Sequence, residues 1–324
     1  RSGEASTEGE AGNPGGPGPW IPGAEDDFAS RVLTLEEVPS HGPERTECGI
    51  AEFDRVLGGG IVPGSVVLLG GDPGVGKSTL LLQVASRLSA AGHGVLYVSG
   101  EESATQTKLR AQRLGVTPGL SVLAEADLAR IFDAVSDGVR AARPGPAGDP
   151  GTDVLAAGDD LTRPVEVLVI DSIQSTYLPD LPSAPGSVLQ VREGALSLAR
   201  LAKTRKVAVL LIGHVTKEGN LAGPRTLEHI VDAVMTMEGD RFHAHRIVRS
   251  VKNRFGSVHE IGVFDMRENG LQEVTNPSRL FLGEEAGQSS GSVVIAGLEG
   301  TRSLLMEVQA LVHPTRYGIP QRIA

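Results

Sequence analysis

The sequence has little of what several protein classes depend on. Cys48 is the single cysteine among 324 residues, so within these residues an internal disulfide and a cysteine-rich zinc module are both excluded. Aromatic residues make up 3% of the chain, and a core must therefore come mainly from Val, Leu, Ile and Ala. The longest apolar runs reach about six residues, against the ~20 that a membrane-spanning helix needs, so no membrane partner is expected.

The N-terminal residues also lack the features of a signal peptide. They contain one basic residue, Arg1, and no apolar stretch, whereas a secretory signal has a positively charged start followed by an apolar run. We therefore expect a cytoplasmic protein.

The overall charge is acidic, with a formal net charge of −10. A negative balance disfavours nucleic acid as a partner. The distribution weakens that argument, because acidic residues crowd the first 27 positions whereas basic residues dominate 192–254. Such a basic stretch is either an ordinary solvated face or a surface for nucleic acid.

Composition predicts how the chain divides. Residues 1–27 are rich in Gly, Pro, Ser and Glu, which is typical of a disordered tail. Residues 28–275 are expected to form the folded domain, interrupted at 144–163 by a flexible insertion rich in Pro, Gly and Asp. Residues 276–290 are predicted to be a linker. Residues 291–324 are too short to hold a core of their own and are interpreted as the start of a further domain.

Strands and helices alternate along the first part of the folded domain. We predict strands at 65–70, 94–99, 165–171 and 207–214, and helices at 78–91, 103–114 and 187–204. This alternation indicates an α/β fold with a mostly parallel central sheet flanked by helices. Three further strands, at 230–238, 243–251 and 258–266, are expected to extend the sheet in antiparallel fashion.

A phosphate-binding motif follows the first strand. Residues 71–78 read GDPGVGKS and match G-x-x-x-x-G-K-[ST] at every fixed position. Glycines let the backbone come close to phosphate oxygens, and N–H groups at the start of the next helix form an anion site. We expect Lys77 to reach the β- and γ-phosphates of ATP, Ser78 to bind Mg²⁺ and Thr79 to contact the α-phosphate. The predicted nucleotide-binding residues are Gly71, Asp72, Pro73, Gly74, Val75, Gly76, Lys77, Ser78 and Thr79.

Acidic residues end two other predicted strands. Asp171 closes the apolar run VEVLVID, at the rim where parallel sheets bind ligands, and is expected to hold Mg²⁺ through water, with Ser78 as the second metal residue. Glu101 and Glu102 follow the second strand, where a carboxylate can polarise an attacking water. Glu101 is the preferred catalytic base. A helix N-terminal acid that only complements the helix dipole is the alternative.

His214 ends the fourth strand, in the segment LLIGH. At the ligand rim it can sense the γ-phosphate by hydrogen bonding and transmit that state to the following loop. A structural histidine with satisfied hydrogen bonds is an equally plain interpretation.

Taken together and in order, these motifs resemble the RadA (Sms) family of bacterial DNA repair proteins. The resemblance rests on GGGIVPGSVVLLGGDPGVGKSTLLLQVA, YVSGEES, VLVIDSIQS, LLIGHVTKEG, GSVVIAGLEGTR and above all KNRFG at 252–256. It implies a RecA-like ATPase core at 28–275 that assembles as a homohexameric ring and binds single-stranded DNA. It also implies a role in recombinational repair, in which ATP hydrolysis promotes branch migration of recombination intermediates in a helicase-like manner.

The chain departs from the family pattern at both ends. The family carries a four-cysteine zinc finger, which a chain with only Cys48 does not contain, so zinc would belong to the missing N-terminal module. The family also ends in a Lon-protease-like domain, of which 291–324 would be the truncated start. The resemblance therefore predicts a shortened form, and nothing in it predicts proteolysis.

KNRFG has a physical interpretation of its own. In a ring ATPase, a cation from the next subunit can stabilise charge at the γ-phosphate, and Lys252 and Arg254 are the candidates. Alternatively they bind DNA phosphate, or they form a plain basic strand end. Phe255 either stacks on a base or packs internally.

Two loops are expected to contact DNA, since both leave the sheet at the rim that would face the channel of a ring. One covers residues 175–190. The other covers 216–225 and holds Lys217, Asn220 and Arg225. The predicted DNA-binding residues are Lys217, Arg225, Lys252, Arg254 and Phe255.

Three other functions are compatible with the same motifs. One is a RecA-like ATPase of the circadian or signalling type that phosphorylates itself. Another is an ATP-binding switch or scaffold without DNA translocation, against which the complete set of Lys77, Glu101 and Asp171 argues. A strand-exchange recombinase is the third, and KNRFG points away from it.

Overall fold

The computed structural model of the chain describes residues 34, 44–116, 119–140, 162–214, 227–239, 245–278, 282, 290–310 and 312. Its helices are α1 (Ala51–Leu57), α2 (Lys77–Ala90), α3 (Ala104–Arg113), α4 (Leu128–Asp137) and α5 (Val188–Arg205). Its strands are β1 (Val66–Gly71), β2 (Val95–Ser99), β3 (Ser121–Ala124), β4 (Val139–Arg140), β5 (Thr162–Arg163), β6 (Val167–Asp171), β7 (Ala208–His214), β8 (Ala233–Gly239), β9 (His245–Asn253), β10 (Ile261–Arg267), β11 (Gly270–Glu273), β12 (Ser292–Glu299) and β13 (Arg302–Gln309).

Nine of these strands form one sheet in the order β11-β10-β9-β8-β1-β7-β6-β2-β3. All neighbours from β8 to β3 are parallel, whereas β8 to β11 pair in antiparallel fashion. The predicted α/β fold with a mostly parallel sheet flanked by helices is therefore confirmed.

For one strand, the predicted direction relative to the sheet was wrong. The segment expected at 230–238 to extend the sheet in antiparallel fashion is β8, which runs parallel to β1 with Val67 opposite Ala233. Eighteen residues separate β7 from β8 in the sequence, which is enough for the crossover that a parallel neighbour requires. The next two predicted strands, β9 and β10, are antiparallel as expected.

The core lies on both faces of the sheet, because alternate side chains of a strand point to opposite faces. Val67 and Leu69 of β1 pack on the side of α1 and α2, where Phe53 and Leu81 are buried. Val66 and Leu68 pack on the side of α4 and α5. The near-continuous apolar runs seen in the sequence are thus strands covered on both faces.

The C-terminal hairpin, β12 and β13, forms a separate two-stranded sheet that rests on β9 and β10. Arg302 at its turn lies 2.5 Å from the carboxylate of Glu52 in α1. Glu52 is buried and Arg302 is largely shielded from solvent. Glu299 pairs with Arg249 of β9. The backbone N–H of Thr301 donates to the Glu260 carboxylate at 2.8 Å.

Several predicted segments lie outside the described residues. They are 1–27, most of 28–43 at the start of the predicted folded domain, 144–161 of the insertion, the loop 216–225 with Lys217 and Arg225, parts of the linker, and 311 and 313–324 of the predicted further domain. Thr162–Arg163, the end of the predicted insertion, instead forms β5 against β4. Among the described residues, no helix combines the length and the apolar character needed to cross a bilayer.

Candidate nucleotide site

Four strands bring functional side chains to one edge of the sheet. β1 leads into the loop 71–78, β2 is followed by Glu101, β6 ends at Asp171 and β7 ends at His214. Because these strands are parallel and adjacent, their carboxyl ends meet, as the sequence predicted.

The backbone of the loop 71–78 forms a cradle. Gly71, Gly74 and Gly76 have φ values of 150°, 77° and 117°, a region that side chains with a Cβ rarely enter. A Cβ on Gly71 would also lie 2.3 Å from the carbonyl oxygen of Met237, so β8 can approach β1 only at a glycine.

The start of α2 suits an anion. Its N-cap, Gly76, offers no side chain to the first N–H groups, and the first turn contains no acidic residue. The unpaired N–H groups and the positive end of the helix dipole therefore remain available to phosphate oxygens. The residues present fit the phosphates of a nucleotide.

Lys77 is buried inside the cradle. Its Nζ donates to the carbonyl oxygens of Gly71 at 2.8 Å and Asp72 at 2.9 Å. Burial lowers the pKa of Lys77, and the nearby carboxylates of Asp171, Asp72 and Glu101 partly offset that effect. The ammonium group thus lies between the loop and the acidic residues at the sheet edge.

Asp171 is buried, and its carboxylate has two polar neighbours. The Tyr97 hydroxyl donates to Asp171 Oδ2 at 2.6 Å, and Arg110 Nη1 lies 3.8 Å from the same oxygen. Burial, and then the charge of Asp171, raise the pKa of Tyr97, so the phenol stays protonated and donates. No described group donates to Asp171 Oδ1, and hard oxygen ligands of this kind, together with the Ser78 hydroxyl on the first turn of α2, suit Mg²⁺ and its waters.

The two glutamates after β2 have different surroundings. Glu101 is half exposed; its Oε1 accepts a hydrogen bond from the Ser172 hydroxyl at 2.6 Å and lies 3.6 Å from His214 Nε2. Glu102 instead pairs with Arg110 of α3. The geometry therefore favours Glu101 over Glu102 as the carboxylate available to a water molecule.

The turn after β6 packs against Gly100, the residue that precedes the two glutamates. Gly100 N–H donates to the carbonyl of Asp171 at 2.9 Å, and a Cβ on Gly100 would lie 2.3 Å from Ser175 Oγ. A larger residue would displace the Ser175 side chain, so Gly100 favours this approach, which places Glu101 beside Ser172.

His214 faces the same space. Its buried Nδ1 has no hydrogen-bond partner in the described part of the chain, and its carbonyl accepts from Gln174. A ring with one unpartnered nitrogen and one nitrogen near Glu101 differs from the fully satisfied structural histidine considered above. Its sensor role stays a prediction.

KNRFG does not join the site of its own chain. β9 runs antiparallel to β8, so Lys252 lies opposite Val234, near the start of the parallel strands. Val234 in turn lies opposite Leu68 of β1. Lys252 is therefore two strands across from β1, about 10 Å, and about 10 Å short of Gly71 along the strand direction, where the loop 71–78 begins. Neither Lys252 nor Arg254 can reach a phosphate bound in the same subunit.

Both cations are instead engaged at that amino edge. Lys252 Nζ donates to the carbonyls of Glu228 and Val231, the second at 2.8 Å. Arg254 Nη1 lies 3.0 Å from the Asp232 carboxylate. Burial, and then the charge of Arg254, lower the pKa of Lys252.

Phe255 is half-buried beside them. Its N–H donates to Asn253 Oδ1 at 2.9 Å, and its carbonyl accepts from Arg45. These contacts fix the backbone of KNRFG against the end of α1. They do not decide between the two roles considered for the Phe255 side chain, which are stacking on a base and internal packing.

The loop at 175–190 is stabilised by hydrogen bonds between the Gln190 side chain and the loop backbone. The Gln190 amide accepts from Leu178 N–H at 2.8 Å and donates to the carbonyls of Leu178, Leu181 and Ser183. The segment contains no Lys or Arg. Any DNA contact here would therefore rest on polar and backbone groups, and the role of this loop stays a prediction.

Comparisons with known proteins agree with this architecture. A family model described as "AAA domain" matches residues 36–220, more than half of the chain. This chain belongs to the AAA domain family.

Several relatives of this AAA domain protein carry the same name. Proteins named DNA repair protein RadA are 50% identical over 304 residues in Bacillus subtilis strain 168 and 50% identical over 298 residues in Synechocystis. These matches cover 92% and 90% of the chain, and 61% and 56% of the relatives. The chain thus spans about three fifths of their length, and the predicted resemblance to RadA is confirmed.

Solved structures share the fold of the AAA domain. A KaiC-like protein from Pyrococcus horikoshii OT3 aligns with a TM-score of 0.52 at 22% identity, covering 72% of this chain and 99% of that one. A second solved structure, described as an ATPase domain, aligns with a TM-score of 0.55 at 15% identity, covering 72% of this chain and 92% of that one.

Sequence reasoning missed three residues of the site. Tyr97 lies two residues before the end of β2 and contacts Asp171 only through the pairing of β2 with β6. Arg110 lies in the helix predicted at 103–114, and the sequence assigned no role to it. Arg246 of β9 donates from Nε to the Val75 carbonyl at 3.0 Å, and nothing in its local sequence distinguishes it from other basic strand residues.

Proposed function

We propose that this chain is a DNA-dependent ATPase that acts in recombinational DNA repair. It binds single-stranded DNA and promotes branch migration of recombination intermediates as a helicase-like motor in a homohexameric ring. The arrangement of Lys77, Glu101 and Asp171 at one sheet edge supports ATP hydrolysis, and the names of the relatives support the repair role.

The residues take distinct parts in hydrolysis. The N–H groups of the loop 71–78 hold the phosphates, and Lys77 stabilises charge that develops on them. Glu101, oriented by Ser172, accepts the proton of the attacking water. Bound Mg²⁺ supplies positive charge at the phosphates, with Asp171 and Ser78 as the residues that would hold it and its waters.

The proposed ring assembly rests on one observation, the separation of KNRFG from the loop 71–78 of the same chain. Lys252 and Arg254 lie at the opposite end of β1, so they can reach a phosphate only in another copy. A contact between two different edges is heterologous, and heterologous contacts close into rings when the rotation permits.

The first test is steady-state ATP hydrolysis with and without single-stranded DNA at low salt. We expect stimulation by DNA that Lys77→Ala abolishes. Lys252→Ala should lose the DNA-stimulated part while keeping nucleotide binding. Turnover indifferent to DNA would favour the ATP-binding switch or scaffold over a DNA motor.

A mixing experiment tests the contribution in trans. Lys77→Ala lacks the phosphate lysine and Lys252→Ala lacks the opposite cation, so neither variant alone should show DNA-stimulated turnover. After subunit exchange, a heterologous interface with both residues intact forms at roughly a quarter of the positions and should recover about that share of turnover. Mixtures that stay inactive after confirmed exchange would contradict a contribution of Lys252 to the site of another copy.

A further inference from the structure

The side chains around Asp171 form a chain of four polar groups. Tyr97 donates to Asp171 Oδ2 at 2.6 Å, Arg110 Nη1 lies 3.8 Å from that oxygen, and Arg110 Nη2 binds Glu102. Tyr97 is 1% exposed and Asp171 is 7% exposed. The cation is therefore beside the buried carboxylate without forming a close hydrogen bond to it.

In this geometry Arg110 and Mg²⁺ compete for the carboxylate of Asp171. A guanidinium in direct contact would neutralise the carboxylate and oppose a second cation at the same group. The Tyr97 hydroxyl is a neutral donor. It occupies Oδ2 and fixes the carboxylate orientation without lowering its charge.

We propose that Tyr97 is a positioning residue that keeps Arg110 from pairing directly with Asp171 and thereby sets the affinity of the nucleotide site for Mg²⁺. Arg110 acts as the competitor, held back at one end by Tyr97 and drawn away at the other by Glu102. The proposal rests on the proposed function, since it assigns Asp171 to the metal. In this assignment Tyr97 and Arg110 act through Asp171 and not on the nucleotide itself.

The experiment measures Mg²⁺ dependence by equilibrium binding of a fluorescent ATP analogue, without turnover or DNA. Tyr97→Phe keeps the buried ring and removes the hydroxyl. We expect the Mg²⁺ concentration at half-saturation to rise about 10-fold, a size typical of changes to groups that orient a metal ligand. Binding in EDTA should be unchanged, because the cradle at 71–78 is intact.

Tyr177→Phe is the matched control. It removes the same hydroxyl from a tyrosine whose side chain makes no hydrogen bond among the described residues, and its Mg²⁺ midpoint should equal that of the unmodified protein. A Tyr97→Phe midpoint equal to the control would overturn the proposal.

Arg110→Gln tests the competitor separately and does not depend on the buried ring. Without the guanidinium, and with Glu102 unpaired, the Mg²⁺ midpoint should fall several-fold. The double variant Tyr97→Phe/Arg110→Gln should return below the Tyr97→Phe value, because no cation is left to occupy Asp171.

The outcomes separate this proposal from the proposed function. A double variant as impaired as Tyr97→Phe alone, or an Arg110→Gln midpoint that does not move, would overturn the competition. If the unmodified protein binds the ATP analogue without any dependence on Mg²⁺, the proposed function fails at Asp171 and the positioning role fails with it. Mg²⁺-dependent binding without DNA stimulation leaves the role of Tyr97 standing and overturns only the DNA motor.

Discussion

Burial disfavours the charged form of Lys77, although binding of nucleotide phosphates requires that charge. Its pKa is lowered mainly by burial, so between the lowered value and the ordinary value of about 10.4 the unfolded chain binds more protons than the folded one. Stability then rises with pH through that window. Nucleotide-free protein should therefore gain stability relative to Lys77→Met as the pH is raised from neutral towards about 10.

Chemical denaturation at several pH values checks this expectation. The difference in unfolding free energy between the two proteins isolates Lys77 from other titrating groups. A difference that is flat with pH, or that moves in favour of Lys77→Met, contradicts the assigned direction of the shift.

Ser172 has an effect that depends on Glu101. Its hydroxyl donates to Glu101 Oε1 at 2.6 Å, so Ser172→Ala leaves the base present but less well oriented. We expect kcat to fall roughly 10-fold with little change in KM, since misplacement of a general base costs on this scale. In a Glu101→Gln background the same substitution should have no further effect on kcat, and an additive loss would mean that Ser172 acts elsewhere.

At the scale of single residues, the sequence predicted those whose type and spacing are typical of phosphate and metal binding. Lys77 and Ser78 follow from the loop motif, and Asp171 follows from its place after an apolar strand. The partners Tyr97 and Arg110 could not be predicted, because their contacts depend on strand pairing and on the approach of α3. The basic edge at Lys252 was found by motif, but its distance from the loop 71–78 became visible only with the direction of β9.

Among the elements, the hairpin of β12 and β13 is joined to α1 by an ion pair with little solvent exposure. Arg302 and Glu52 are 10% and 7% exposed, and Glu52 Oε2 also accepts from the Val263 N–H at 2.9 Å. Arg302→Ala leaves a buried carboxylate without its cation. We expect a loss of about 3 kcal/mol in unfolding free energy, measured by denaturation.

The surface offers a control for that loss. Arg267 pairs with Asp265 at 2.9 Å, but its side chain is 58% exposed, so Arg267→Ala should cost at most about 0.5 kcal/mol. Equal effects of the two substitutions would show that the hairpin is not anchored by Arg302.

The elements found from sequence are those with strong signals. β1, β6 and β7 are unbroken apolar runs, and α2 and α5 have apolar residues at helical spacing. β3 has only four residues and was missed. α4 was missed although Asp127 caps it by accepting from the Ala129 N–H at 2.9 Å, a signal that the sequence shows as Asp before an apolar-periodic segment.

At the scale of the whole molecule, the two functional edges predict a dependence on protein concentration. If the cation at 252 completes a site in another copy, turnover per chain should rise with protein concentration and then level off. Lys252→Ala should remain low at every concentration. Turnover per chain that stays constant down to concentrations at which light scattering shows only monomers would contradict a shared site.

β9 joins these edges directly. Arg246 contacts the loop 71–78 at one end of the strand, and Lys252 lies at the other, with Val251 left unpaired where the register with β8 shifts. One residue added or lost between them would move an end by ~3.4 Å and turn its side chain to the opposite face. The number of residues between 246 and 252 therefore sets the spacing of the two edges, and an insertion or deletion there should disturb one of them unless a further bulge absorbs it.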